Sequence, residues 1–377
     1  MKKIAVFGGT FNPVHSEHVN MVESAIEELN LDKVIIVPTN IPPHKTTELA
    51  PNEHRLNMLK LCFSSNKKVE ISDFEYTNGG KSYSYITVEH FSEIYSGDQL
   101  FFMVGGDMLK DFKTWVNPSR ILDKATLVAF FREKEEVDFE REREYFNKTF
   151  QKDFIKLNYK GKNVSSTKIR IYVGLGLSVS ELISKEVVEY INANKLYQGK
   201  KEFEFIKNTL PEKRLTHTAE VTICALKKAK ELNLSQEKVV KSAVLHDCAK
   251  YIDYTTVRGF RLEEEMPKPV IHAFLGAFIA KNYLKIEDEE IINAIKYHTS
   301  GRAKMSKLEK LIFVADMIEP SRNYQGVDTL RKLYEIDFEK CFRECLKEEM
   351  EHLANGKNPI YHETLNAYNY YIENKGE

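Results

Sequence analysis

Two histidines near the start of the chain stand three residues apart, behind a pair of glycines. The stretch is Gly8-Gly9-Thr10-Phe11-Asn12-Pro13-Val14-His15-Ser16-Glu17-His18, and it follows the apolar run Ile4–Phe7. Glycines at the end of a strand let backbone N–H groups approach a phosphate closely. Imidazoles three residues apart share one side of a helix and could stabilise a transferring phosphoryl group. The alternative is that one histidine caps the helix while the other packs inside.

Six polar residues in the second half of the chain each lie on, or at the end of, an apolar helical stripe. They are His217, His246, Asp247, His272, His298 and Asp316. An inward-facing polar side chain is costly unless it is satisfied, so six in register indicate that they converge. Histidine nitrogens and carboxylate oxygens that converge in a helical bundle suit a pair of divalent metal ions. Taken singly, each would be interpreted as a core residue with an ordinary hydrogen bond.

The elements that must position these residues differ between the two halves. In the first half, short β-rich runs alternate with helical patterns, which predicts an α/β fold with a doubly wound parallel sheet. The predicted strands are Ile4–Phe7, Lys33–Val37, Lys68–Phe74, Gln99–Val104 and Ala125–Phe131, and the predicted helices include Val14–Leu29, Glu53–Ser64 and the charged run Arg132–Asp153. From about Lys200 onward, strand patterns nearly vanish and helical periodicity continues, which predicts an all-α domain.

A chain of 377 residues is long enough for two domains, which we predict at residues 1–196 and 200–377. Residues 1–200 carry 27 basic and 27 acidic groups, and the remainder carries 28 and 29. Neither half has the basic excess of a non-specific nucleic-acid binder, so no nucleic-acid partner is expected. No apolar run approaches the roughly 18 residues of a membrane span. With five cysteines and no CxxC pair, the chain is predicted to be cytoplasmic, with reduced thiols and no membrane partner.

The first half resembles the bacterial nicotinate-nucleotide adenylyltransferases, a nucleotidyltransferase family with a Rossmann-like fold. Its signature GGTFxPxHxGH is matched from Gly8 to His18, and further motifs follow in order through about Tyr197. These are Val37-Pro38, Pro42-Pro43-His44-Lys45, Lys81-Ser82-Tyr83-Ser84, Gly105-Gly106-Asp107, Trp115 and Val164-Ser165-Ser166-Thr167-Lys168-Ile169-Arg170. The family's usual glycine before the second histidine is Glu17 here. We expect its side chain to rotate outward, with little effect on ATP binding.

That resemblance implies transfer of an adenylyl group from ATP, accompanied by Mg²⁺, to nicotinate mononucleotide. His15 and His18 would contact the ATP phosphates, and Arg170 the β- and γ-phosphates. The nucleotide-binding residues implied are Gly8, Gly9, Thr10, Phe11, Gly105, Asp107, Ser165, Ser166 and Thr167, with Lys45 and Trp115 at the mononucleotide. Lys45 could instead be a surface lysine and Trp115 a core residue. Another acceptor, such as phosphopantetheine, is the rival interpretation of this half.

In the second half, the order H…HD…H…H…D resembles the HD-domain phosphohydrolases. The surrounding sequence resembles the YqeK-like symmetrical bis(5′-nucleosyl)-tetraphosphatases in particular. The matching stretches are Arg214–Thr218, Leu245–Lys250, Ala294–Thr299 and Ala315–Arg322. The resemblance implies hydrolysis of diadenosine tetraphosphate to two ADP by water that metal ions activate.

The same resemblance implies a ligand set for two metal ions. His217, His246, Asp247 and Asp316 would hold one ion, while His272 and His298 complete the second, with Asp247 as the catalytic bridge. Such donors suit iron, manganese, cobalt or zinc, and iron is our prediction. Lys250, Thr299 and Arg302 are predicted phosphate contacts, or else polar residues at helix ends. The rival interpretation is a non-catalytic nucleotide-sensing domain, and a homodimer is left open.

Overall fold

The computed structural model describes residues 1–42, 49–132, 139–162, 164–262, 265–356 and 359–373. The chain forms two compact units, the first comprising Met1–Arg170 with Val179–Leu196 and the second Ile171–Ser178 with Tyr197–Glu377. The units alternate along the chain between residues 171 and 196, which a single predicted boundary does not capture. Lys45 and residues 133–138 of the predicted charged helix lie outside the described residues.

A six-stranded parallel sheet forms the centre of the first unit. Its strands are β1 (Lys3–Gly9), β2 (Lys33–Pro38), β3 (Val69–Ile71), β4 (Gln99–Gly105), β5 (Thr126–Arg132) and β6 (Phe154–Gly161). They lie in the order β3-β2-β1-β4-β5-β6. This order defines a doubly wound Rossmann-like sheet, so the predicted fold class is confirmed. The apolar runs of the inner strands are buried, as expected where helices cover a parallel sheet.

Helices connect the strands of the first unit and follow the last one. They are α1 (Ser16–Glu28), α2 (Asn52–Phe63), α3 (Phe74–Asn78), α4 (Ser84–Ile94), α5 (Gly106–Asp111), α6 (Pro118–Leu122), α7 (Phe139–Phe150), α8 (Ser166–Gly174) and α9 (Lys185–Ala193), with a 3₁₀ turn at Phe112–Thr114. The long amphipathic patterns therefore predicted the helices α1 and α2 to within about two residues.

Two elements of the first unit differ from the prediction. Strand β3 ends at Ile71, because Phe74 already opens helix α3. Strand β6 was not predicted at all. It pairs only with β5 at the edge of the sheet, and edge positions tolerate polar side chains such as those of Lys156 and Asn158. It therefore lacks the continuous apolar run that marks the inner strands.

The second unit is helical throughout its described residues, so the predicted all-α domain is confirmed. Its helices are α10 (Lys201–Thr209), α11 (Glu212–Ala229), α12 (Gln236–Leu245), α13 (Lys268–Asn282), α14 (Glu289–Lys296), α15 (Lys307–Ile318), α16 (Val327–Ile336), α17 (Phe338–Ala354) and α18 (His362–Tyr368), with a 3₁₀ turn at Tyr254–Thr256 and a π-helical turn at Asn369–Glu373. One buried apolar cluster draws on α11 through α15. Within the described ranges, no helix is long and apolar enough to cross a membrane.

Two candidate active sites

The glycine-rich stretch lies at the carboxyl end of β1, beside the carboxyl end of β4. Gly8 and Gly9 end β1 and Gly105 ends β4, and these paired strands flank the point where the strand order reverses. Ligands of open α/β sheets bind at that point. A Cβ atom at Gly9 would lie 2.9 Å from the ring of Phe11, so this loop requires a residue without a side chain. The structure therefore brings these predicted residues to one sheet edge.

His15 and His18 stack on each other at the start of α1, with their ring centroids 3.7 Å apart. His15 is the N-cap residue, and its backbone N–H donates to Nδ1 of His18 over 3.2 Å. Only an unprotonated ring nitrogen accepts a hydrogen bond, so Nε2 of His18 carries the proton and can donate to a phosphate oxygen. His15 thus caps the helix and is buried, while the half-buried His18 presents an imidazole donor, so features of both interpretations occur in the same pair.

The predicted phosphate-binding segment, Ser165–Arg170, is fastened to the loop that precedes α1. Ser166 Oγ donates to the carbonyl of Pro13 over 2.8 Å. Arg170 Nη1 donates to the carbonyl of Asn12 over 2.7 Å. The segment's hydroxyls and guanidinium therefore lie beside the loop that carries the two histidines.

The other predicted residues of this site have different surroundings. Thr167 Oγ1 accepts from the Arg170 guanidinium over 3.2 Å, and Ser165 Oγ accepts from a backbone N–H in the same helical turn over 3.2 Å. Trp115 is half-buried, with its ring centroid 5.2 Å from that of Phe112, so one side of it is a core contact as the alternative supposed. The backbone of Asp107 lies in α5.

A positioning residue that sequence reasoning missed is Arg55 in α2, which is fully buried. Its guanidinium donates to the carbonyls of Ala50, Thr10 and Thr39 over 3.0, 2.9 and 2.7 Å. It therefore holds the loop after β1 and the loop after β2 together at the site. Its place on the buried face of α2, in register with apolar positions three and four residues later, was the available signal.

Glu17 does not rotate outward, so the expected orientation of its side chain was wrong, while its effect on ATP binding stays a prediction. Its side chain is buried, with 1% exposed. The carboxylate accepts hydrogen bonds from Tyr159 Oη over 2.7 Å, from the backbone N–H of Lys162 over 2.7 Å, and from Asn20 Nδ2 over 3.3 Å. Two of these donors belong to β6 and the residue after it, an element that the sequence did not predict.

Asp247 lies at the centre of the second site, between four imidazoles. Its Oδ1 is 2.9 Å from His272 Nε2 and 3.6 Å from His298 Nε2. Its Oδ2 is 3.9 Å from His217 Nε2 and 3.6 Å from His246 Nε2. Each oxygen of one carboxylate therefore faces a different pair of rings, which is the arrangement a carboxylate needs to bridge two cations.

Asp316 lies on the side of the cluster formed by His217 and His246. Its Oδ1 is 3.0 Å from His217 Nε2 and 4.0 Å from His246 Nε2. The ligand atoms of these three residues all lie within 4.8 Å of one another, as do those of His246, Asp247 and His298. The structure thus brings all six predicted ligands together.

Three of the rings have a fixed tautomer. His246 and His298 each direct Nδ1 at the backbone carbonyl three residues earlier, over 2.6 and 2.8 Å. His217 directs Nδ1 at Oε1 of the buried Glu319 over 2.9 Å. An acceptor at Nδ1 places the ring proton there, so Nε2 presents its lone pair to the cluster, as in metal-binding histidines. Glu319 was not predicted, although it lies inside the stretch Ala315–Arg322 and three residues after Asp316.

The protonation states of His246, His272 and Asp247 also suit metal binding. His217 differs, because burial acts against its charged form but hydrogen bonding to Asp316 and Glu319 raises its pKa above the ordinary value. Burial lowers the pKa of His246 to about 3 and that of His272 to about 4, so both rings are neutral at physiological pH. Burial alone would raise the pKa of Asp247, but the nearby His246 and His272 hold it well below its usual range. Neutral imidazoles and ionised carboxylates are the forms that coordinate metals.

The buried nitrogen and oxygen atoms that face one another in the cluster also support a metal site. His217 Nε2, His246 Nε2 and Asp247 Oδ1 are buried and make no hydrogen bond within the described part of the chain. Because the proton of His246 is committed at Nδ1, its Nε2 lone pair faces carboxylate oxygens. Facing lone pairs repel each other unless a cation lies between them, so these donors fit a metal site.

Three cationic side chains border the cluster. Arg214 Nη1 lies 2.9 Å from Asp247 Oδ2, Lys250 Nζ lies 3.4 Å from Asp247 Oδ1, and Arg322 contacts the Asp316 carboxylate. All three are partly exposed. Lys250 was predicted, whereas the two arginines were missed, although both lie inside the stretches that carry the resemblance.

Thr299 and Arg302 have different positions relative to the cluster. Thr299 Oγ1 lies 3.0 Å from His298 Nε2. Arg302 forms a two-pronged ion pair with the buried Glu309, over 2.7 and 3.2 Å, and stacks over the ring of Tyr297. The structure therefore brings Thr299 to the site and gives Arg302 a separate set of contacts.

The fold and the two sites define the class of protein, which is a Rossmann-like nucleotidyltransferase joined to a helical HD domain. Residues 6–171 match the family described as "Cytidylyltransferase-like", and residues 214–321 match the "HD domain". A Clostridium tetani protein named "Probable nicotinate-nucleotide adenylyltransferase" is 38% identical over 202 residues, which are 52% of this chain and 100% of that protein. The chain belongs to the nicotinate-nucleotide adenylyltransferase family.

Other relatives match the second domain as well. A Mycoplasma genitalium protein named "Probable nicotinate-nucleotide adenylyltransferase/Ap4A hydrolase" is 29% identical over 360 residues, which are 92% of this chain and 97% of that protein. A crystal structure is known of a "predicted HD superfamily hydrolase involved in NAD metabolism from Clostridium acetobutylicum". That protein is 33% identical to this chain over 46% of this chain and 97% of its own length, with a TM-score of 0.42.

Replacing Glu319 should weaken metal binding, because it holds the Nδ1 proton of His217. We expect Glu319→Ala to lower metal affinity by about 10–100-fold, the usual cost of losing such a support. Glu319→Gln keeps an oxygen acceptor for the ring and should retain most of the affinity. Titration calorimetry of the full chain with manganese measures both variants, and equal affinity in wild type and Glu319→Ala would contradict the assigned role.

Proposed function

We propose that the chain is a bifunctional enzyme. The first domain transfers an adenylyl group from ATP to nicotinate mononucleotide and releases pyrophosphate, which gives nicotinate adenine dinucleotide. The second domain hydrolyses diadenosine tetraphosphate to two ADP with the help of bound metal ions. The observation that supports the first activity is the imidazole donor of His18 at the start of α1, next to the loop to which Ser166 and Arg170 are bonded. For the second activity it is the placement of Asp247 between two pairs of rings.

Adenylyl transfer needs no covalent intermediate with the protein. A phosphate oxygen of the mononucleotide attacks the α-phosphorus of ATP, and the bond to the bridging oxygen of pyrophosphate breaks. The protein's part is to align the two phosphates and to stabilise the charge that develops. We assign the Nε2–H of His18 to the reacting phosphate oxygens. Ser166, Thr167 and Arg170 are assigned to the leaving pyrophosphate.

In the second domain, metal ions would be held by His217, His246 and Asp316 on one side of Asp247 and by His272 and His298 on the other. Bound ions would supply acidified water and neutralise phosphate charge. The protein's own contribution is to fix the Nε2 lone pairs and to keep the carboxylates ionised. Arg214, Lys250 and Arg322 are proposed contacts for the polyphosphate, since they border the cluster and remain partly exposed.

Some finer features stay predictions. They are Mg²⁺ as the companion of ATP, iron in the helical domain, the cytoplasmic location and the homodimer. The nitrogen and oxygen donors of the cluster suit iron, manganese, cobalt and zinc alike, so metal analysis of the purified chain decides between these metals.

Each half has a rival function that a direct assay separates from the proposal. For the first half, the full chain is incubated with ATP and either nicotinate mononucleotide or phosphopantetheine. Faster pyrophosphate release with phosphopantetheine would overturn the proposed acceptor.

For the second half, diadenosine tetraphosphate is supplied with each candidate metal. Binding without turnover under all of them would favour a nucleotide-sensing domain.

Replacing His18 should impair only the transferase. We expect His18→Ala to lower the rate of adenylyl transfer on the order of 10²-fold, because the donor to the reacting phosphate is lost. Diadenosine tetraphosphate hydrolysis should be unchanged. His90→Ala is the matched control, since His90 stacks on Phe74 and has no assigned role. Near-normal turnover in His18→Ala would remove this residue from the mechanism.

Replacing Asp247 should impair only the hydrolase. We expect Asp247→Ala to abolish hydrolysis of diadenosine tetraphosphate, because both pairs of rings lose their shared carboxylate, while adenylyl transfer continues. Asp253→Ala is the matched control, since that exposed aspartate caps a nearby 3₁₀ turn. Both reactions are followed by separating the nucleotides of one preparation. Hydrolysis that survives in Asp247→Ala would exclude the cluster as its site.

A further inference from the structure

We infer that Glu17 is a positioning residue of the first domain, whose buried carboxylate fixes where the phosphate-binding segment begins relative to the histidine pair. The inference rests on the proposed adenylyltransferase function and adds a residue to it.

The carboxylate joins two parts of the site directly. Glu17 is the residue before His18 in the first turn of α1, and Lys162 follows the last residue of β6. Glu17 Oε2 accepts from the backbone N–H of Lys162 over 2.7 Å and from Tyr159 Oη over 2.7 Å. Oε1 accepts from Asn20 Nδ2 over 3.3 Å. The Glu17 side chain therefore connects α1, the helix that carries His18, to the end of β6.

The contact is strong because of its burial and charge. Hydrogen bonds to an ionised acceptor are roughly twice as strong as neutral ones, and a buried carboxylate is tolerated only where donors satisfy it. The Lys162 donor belongs to the backbone, so the bond fixes the path of the chain itself. The phosphate-binding segment begins three residues after Lys162, at Ser165. The backbone N–H of Val164, the residue before it, donates to the carbonyl of Lys162 over 2.9 Å, so the position of Lys162 bears on the start of the segment.

A second contact between α1 and β6 offers a matched control. Glu28, near the other end of α1, accepts from the backbone N–H and the side-chain amide of Asn158, each over 3.0 Å. It also joins α1 to β6 through a backbone N–H, but Glu28 is exposed whereas Glu17 is buried. Asn158 lies four residues before Lys162 and seven before Ser165, and Tyr159, which follows it, keeps its own bond to Glu17 when Glu28 is removed. Losing Glu28 should therefore affect stability without moving the phosphate-binding segment.

Kinetics of the full chain with ATP and nicotinate mononucleotide test the inference. Glu17→Ala should raise KM for ATP by about tenfold, the factor expected for a lost buried bond to a charged acceptor. KM for the mononucleotide and hydrolysis of diadenosine tetraphosphate should stay within about twofold of wild type, because their assigned contacts lie elsewhere. Glu17→Gln should recover most of the ATP affinity, since the amide oxygen can still accept from the Lys162 N–H. Glu28→Ala should lower Tm and leave KM for ATP unchanged.

Two results would overturn the inference: an unchanged KM for ATP in Glu17→Ala, or equal increases in Glu17→Ala and Glu28→Ala. If Glu17→Ala does not fold, Tyr159→Phe removes one donor and keeps the ring. It should then raise KM for ATP about threefold, and no increase would overturn the inference. If wild type transfers adenylate to no acceptor, the proposed function fails. The Glu17 inference is then judged by calorimetric binding of a non-hydrolysable ATP analogue to the same variants.

Discussion

An imidazole ring presents a nitrogen to a ligand in a defined protonation state only when a hydrogen bond occupies its other nitrogen. Both sites depend on this constraint. In the first domain the backbone N–H of His15 occupies Nδ1 of His18, which leaves a donor at Nε2. In the second domain, acceptors at Nδ1 of His217, His246 and His298 leave lone pairs at Nε2. The same kind of ring is thus proposed as a phosphate donor in one case and as a metal ligand in the other.

The two domains supply the hydrogen bonds at Nδ1 in different ways. At the start of α1, the N-cap geometry directs the backbone N–H of His15 at the ring of His18. No further side chain is needed there to orient the ring of His18. In the helical bundle, backbone carbonyls serve two rings. The third ring, that of His217, is held by the carboxylate of Glu319. This carboxylate also accepts hydrogen bonds from the hydroxyl and the backbone N–H of Ser321. An acceptor at Nδ1 of each of these rings thereby holds the ring in its orientation toward the cluster.

The sequence was sufficient for the fold class, for both groups of histidines and for most of the inner strands, since each depends on local patterns. It was insufficient where the determining contact is distant in the chain. Strand β6 carries no apolar run because it lies at an edge, and without β6 the donors that bury Glu17 could not be anticipated. Arg55 was missed for a related reason, because its acceptors are backbone carbonyls of other loops. For Arg302, the pairing with Glu309 shows that a charged residue near a motif can serve local structure instead.

The central claim is that Asp247 would be shared by two bound cations, because its oxygens face separate pairs of rings. The most direct measurement is the metal stoichiometry of the full chain, taken by anaerobic titration of metal-free protein with iron(II) and by elemental analysis after removal of excess ion. The account predicts about two ions per chain, as in other two-metal phosphohydrolase sites. Binding of a single ion at saturation would contradict the bridging role of Asp247, and no binding would contradict the metal site itself.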